Sequence, residues 1–73
     1  MIDTNALRGA IMAKGLTQQD VAVHLGITPK TFYSKMKRGV FGTDEMEEMI
    51  KLLALKDPFS IFFAEEVTSH ATY

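Results

Sequence analysis

Residues that cap helices recur along this chain at short intervals, and with the glycines between them they divide it into five short helical segments. Asp3 or Thr4 can cap the first, whose apolar Leu7, Ala10 and Ile11 fall on one face before Gly15, giving a helix over roughly residues 4–14. Thr17 caps the second, with Asp20 three residues on to complete a capping-box pair, and Val21, Ala22 and Leu25 form its buried stripe before Gly26. Thr28 caps a third over residues 28–37, where Pro29 takes the first position at no hydrogen-bond cost and Phe32 and Met36 turn to the core. Thr43 is the expected cap of a fourth, with Asp44 and Glu45 at the positive end of its dipole and Met46, Met49, Ile50 and Leu53 as its apolar face. Asp57 and Pro58 start a fifth, with Phe59, Phe62 and Phe63 expected toward the core and Ile61 pointing elsewhere. The expected fold is all-α, with one domain over residues 1–66 and a polar tail over 67–73.

Seventy-three residues sit near the lower limit for a self-sufficient hydrophobic core. With 47% hydrophobic and 23% charged residues the balance is that of an ordered chain, not a disordered one. No cysteine is available for a disulfide or a thiolate zinc site, so the core carries the fold, helped at most by dimerisation. The N-terminus shows no basic region followed by a long apolar run, and no stretch has the length of a membrane span; the expectation is a cytoplasmic protein without a membrane partner.

The net charge of −1 conceals a division of charge along the chain. Residues 1–42 carry six basic side chains against Asp3 and Asp20, whereas residues 43–73 carry seven acids against Lys51 and Lys56. Between Asp20 and Asp44 there is no acid at all, and Lys30, Lys35, Lys37 and Arg38 all lie there. A purely cationic segment on a helix suits a polyanion, since phosphates are neutralised by lysine and arginine.

That segment overlaps a second pattern, over residues 17–38. Two helices meeting near a right angle need a small residue at the crossing, which Ala22 supplies, and a turn residue free to adopt positive φ, which Gly26 supplies. Val21, Leu25, Ile27 and Phe32 provide the buried contacts around them. The run from Leu16 to Tyr33, LTQQDVAVHLGITPKTFY, resembles the helix-turn-helix of the lambdoid phage repressor and Cro family, also called xenobiotic-response-element-like. The resemblance extends over the first four helices and, more loosely, the fifth. It departs from the family at Lys35, where an apolar residue is usual and Met36 follows instead.

The resemblance implies a lambda-repressor-like DNA-binding domain, with the second and third helices as the helix-turn-helix, in a transcriptional regulator of the phage or prophage repressor type. It assigns base reading in an operator to Pro29, Lys30 and Ser34, with Tyr33 and Lys37 beside them, and phosphate anchoring to Gln18, Thr28 and the residues after the third helix. Thr17, Thr31, Lys35, Lys37 and Arg38 join the expected phosphate contacts. The chemistry of the groove agrees: an exposed lysine can donate to guanine O6 and N7, and hydroxyls suit several base edges, so Lys30 is the first choice for a base contact. Gln18 can donate to a phosphate beside the unpaired amides of its helix end, or serve as an exposed polar residue with no partner. Tyr33 reads equally well as a packing residue, and Lys35, Lys37 and Arg38 as solvated cations.

Catalysis has little to build on. His24 and His70 have no neighbouring metal-ligand set, Glu47 and Glu48 are adjacent on a helix and diverge, and the glycines are isolated, so neither an enzyme nor a cofactor is expected. The competing readings are a helical protein-interaction module, an antitoxin-type regulator, and an excisionase-like architectural factor. Because one recognition helix reads only a few base pairs, a homodimer is expected at least on DNA, with Ile61 and Val67 as its expected interface.

Overall fold

The computed structural model describes residues 2–64. Five helices follow in chain order, α1 (Thr4–Ala13), α2 (Gln18–Leu25), α3 (Pro29–Arg38), α4 (Thr43–Leu53) and α5 (Pro58–Phe62), with no strand among the described residues. None is long and apolar enough to cross a membrane.

Most helix starts are fixed by a side chain that satisfies an otherwise unpaired amide. Asp3, not Thr4, caps α1, its Oδ1 accepting from the Ala6 N–H at 3.0 Å. Thr17 and Asp20 form a complete capping box on α2: Thr17 Oγ1 accepts from the Asp20 N–H at 3.1 Å, and the Thr17 N–H donates to Asp20 Oδ2 at 2.9 Å. Thr28 caps α3 through the Thr31 N–H at 3.2 Å, and Asp57 caps α5 through the Ser60 N–H at 3.3 Å. The start of α4 differs from expectation. Gly42 is the capping position and Thr43 the first helical residue, because Glu45 reaches back to accept from the Gly42 N–H at 2.8 Å.

Helix α2 packs against α1, α3 and α4, while α1 also meets α5. The core therefore draws on every element: Leu7 and Ile11, Val21 and Ala22, Phe32 and Met36, Met49 and Leu53, and Phe62, joined by Ile2 and Phe41 from the connecting segments. Phe32 is wholly buried, with its ring 5.4 Å from that of Phe41. Two backbone bonds tie the N-terminal segment across the molecule, from the Ile2 N–H to the Gly39 carbonyl at 3.3 Å and from the Asp3 N–H to the Ile61 carbonyl at 2.7 Å.

The second of these bonds bears on α5, whose orientation corrects the expectation from sequence. Pro58, Ile61 and Phe62 form its inner face, with Ile61 packed against the core, while Phe59 and Phe63 are 50% and 44% exposed. Both triplets have the i, i+3, i+4 spacing of one helix face, so spacing alone does not choose between them. The bond from Asp3 holds the Ile61 end against the start of α1 and selects the first. Ile61 is thus partly buried and packs against the core, where it was expected to point elsewhere; Val67, its expected companion in an interface, lies outside the described residues, as do Glu65, Glu66, His70 and the boundary of the polar tail.

Candidate nucleic-acid interface

The geometry of α3 is set at the turn before it. Gly26 closes α2 with φ 75° and ψ 25°, a left-handed conformation, and the Ile27 N–H returns to the Ala22 carbonyl at 3.1 Å. Ala22 itself has no exposed surface. On α3, Phe32 and Met36 are buried one turn apart and fix which side of the helix faces outward. Lys30, Thr31, Tyr33, Ser34, Lys37 and Arg38 are left exposed, with Pro29 partly covered. Tyr33 serves both packing and surface: its ring meets that of Phe32 edge-on at 6.4 Å, yet the residue stays 49% exposed.

The hydroxyls at the start of α3 have distinct duties. Thr28 Oγ1 accepts from the Thr31 amide and donates to Thr31 Oγ1 at 2.9 Å, so its own proton is committed. Thr31 keeps its hydroxyl proton for an outside acceptor. At α2 the situation is similar: Thr17 Oγ1 only accepts within the capping box, so its proton also remains available beside the partly covered Gln18.

Lys35 departs from the role expected of it as a phosphate contact. Its Nζ donates to Glu45 at 2.8 Å (Oε1) and 2.6 Å (Oε2), and the two side chains are only 24% and 15% exposed. The position that usually carries an apolar residue in the resembled family thus carries a cation neutralised by α4. Burial pushes the Glu45 carboxyl up, but the hydrogen bonds from Lys35 and the Gly42 amide, with the Lys35 charge, outweigh it and hold the group below its ordinary 4.5. The cationic set on α3 is therefore Lys30, Lys37 and Arg38, and among the described residues no carboxylate is in ion-pair range of any of them.

A fourth cation stands with the α2 start. Arg8 of α1 lines one surface depression together with Met12, Leu16, Thr17 and Gln18, and its guanidinium donates to Asn5 Oδ1 at 2.7 Å. Sequence reading counted Arg8 only in the charge balance. What places it is the corner at Gly15 and Leu16, which folds the Arg8 face of α1 onto the first residues of α2.

His24 is exposed, with Nε2 3.5 Å from Glu48 Oε2, a contact between α2 and α4. Glu47 turns instead toward the groove between α4 and α5. Among the described residues no three His, Cys, Asp or Glu side chains converge as a metal site. No family model matches the chain, and neither does any curated protein or solved structure.

Proposed function

We propose that this chain is a sequence-specific double-stranded DNA-binding transcriptional regulator, with α2 and α3 as a helix-turn-helix of the phage repressor and Cro type and α3 lying in the major groove. The observation that carries this reading is the outward face of α3. Three cations and three hydroxyl or phenol groups stand exposed on one short helix whose opposite side is locked by Phe32 and Met36. A major groove admits a helix of this kind, and Lys30 and Ser34 offer the donors that read base edges there. Arg8, Thr17 and Gln18 on one side and Lys37 and Arg38 in the last turn of α3 offer donors for flanking phosphates.

Selection from a randomised duplex pool tests the reading. A short preferred motif is the expected result, and recovery of random sequence would refute sequence-specific recognition. A helix the length of α3 spans only a few base pairs, so two copies on half-sites about 34 Å apart are the expected functional unit. The stacked, half-exposed pair Phe59 and Phe63 favours the second reading, a protein-interaction module. A chain that served only that role would bind no duplex at low salt.

A further inference from the structure

One carboxylate joins α3, α4 and the turn between them. Glu45 Oε1 accepts from the Gly42 amide at 2.8 Å, which seats the group at the start of α4, and its two oxygens together take the Lys35 ammonium at 2.8 and 2.6 Å. The Gly42 bond does not depend on Lys35, so the carboxylate stands as a preformed acceptor beside α3. With its pKa held below the ordinary value, it is ionised at neutral pH.

Holding α3 against α4 does not call for charge. A buried ion pair is weak evidence for stability, because apolar side chains of similar volume often fill the same place as well or better. Phe32 and Met36 already seat α3 in the core. What the pair changes is the charge that α3 presents. Thr31 and Arg38, four residues before Lys35 and three after it, share its strip of the helix, and both are exposed, so Lys35 borders the cationic face. Its side chain keeps 24% of its surface exposed, and a lysine stem is long enough to carry a freed ammonium outward. Paired with Glu45 it is neutralised, and a neutral pair releases no counterion from a duplex.

We propose that Glu45 is an internal competitor for phosphate, which occupies Lys35 and so holds one cation of α3 back from the duplex. The proposal rests on the DNA-binding reading and adds to it a contact kept in reserve. A lysine on a phosphate carries no base information, so the restraint lowers affinity for every sequence alike and leaves discrimination to Lys30 and Ser34.

Binding of the full chain to a random-sequence duplex, measured across a range of salt concentrations, is the test, with circular dichroism to check that each variant is folded. Glu45→Gln is expected to bind several-fold tighter than the parent at low salt, with a log–log slope steeper by about 0.9, the share of one more phosphate. Glu47→Gln removes the same charge from an exposed position on α4 that faces α5, and is expected to leave the slope at the parental value. Adding Lys35→Gln to Glu45→Gln is expected to restore the parental slope, a reversal that a purely structural pair does not produce. If Glu45→Gln does not fold, Lys35→Gln alone carries the test. Its slope is expected to match the parent's, because the cation is already withheld, and a slope shallower by about 0.9 would overturn the proposal. Equal slopes in Glu45→Gln and Glu47→Gln, or weaker binding by folded Glu45→Gln, would also overturn it and leave the DNA reading standing. A parent chain that binds no duplex at low salt would sink both.

Discussion

Lys30 and Arg8 are both exposed cations, yet different work is expected of them. Lys30→Ala is expected to change preference at one or two base pairs, costing about 1–3 kcal/mol at the best site and little on random duplex. Arg8→Ala is expected to weaken all sequences alike and to reduce the salt slope by about 0.9, the share of one phosphate. Competition binding to selected and random duplex separates the two, and unchanged discrimination in Lys30→Ala would remove it from the base-reading role. Lys35 belongs to stability instead. Glu45→Gln keeps an acceptor for the Gly42 amide but strands the Lys35 ammonium in a partly buried place, at a cost of about 1–3 kcal/mol by thermal or denaturant unfolding. Because the folded-state value of Glu45 lies below the ordinary 4.5, its contribution is complete above that pH and is lost as pH falls through the lowered value. Stability measured from pH 6 downward should therefore decline below about 4.5, and less steeply in Glu45→Gln. Neither this pair nor the placement of Arg8 was legible in the sequence, since each brings together side chains of separate helices, Lys35 with Glu45 and Arg8 with Thr17 and Gln18.

At the scale of elements, two left-handed residues make opposite predictions. Gly26 has φ 75° and open space where a Cβ would stand, so Gly26→Ala costs backbone strain alone, about 1–2 kcal/mol. Ala54 ends α4 with φ 50° and already bears that strain, so Ala54→Gly should stabilise the fold by about 0.5–1 kcal/mol. Melting temperatures would fall in the first variant and rise in the second, by roughly 4–8 °C per kcal/mol in a domain this size. A fall in both would mean that the end of α4 is held by something other than its backbone conformation. The Gly26 turn was readable beforehand because capping and turn chemistry are local: Thr17, Thr28 and Asp57 each act within three residues of themselves. The start of α4 slipped by one residue because its hydrogen bond comes from Glu45 reaching backward, which lets a glycine with no side chain occupy the cap. The inner face of α5 was not readable at all, since a five-residue helix with apolar groups at four positions offers two equally spaced faces.

The whole molecule has one dominant asymmetry, a cationic α3 against an α4 that carries Asp44, Glu45, Glu47 and Glu48. That much was legible because the charges segregate by segment. What folding adds is a redistribution: Glu45 removes Lys35 from the basic set, and Arg8 joins it from α1. If Lys30 spends its charge on a base, the phosphate contacts of one copy come to Arg8, Lys37 and Arg38. The most direct test is the binding constant for a duplex measured across a range of salt concentrations. A log–log slope of roughly −2.7 per bound copy is expected, from about −0.9 for each neutralised phosphate. A flat slope, or affinity that rises with salt, would contradict it.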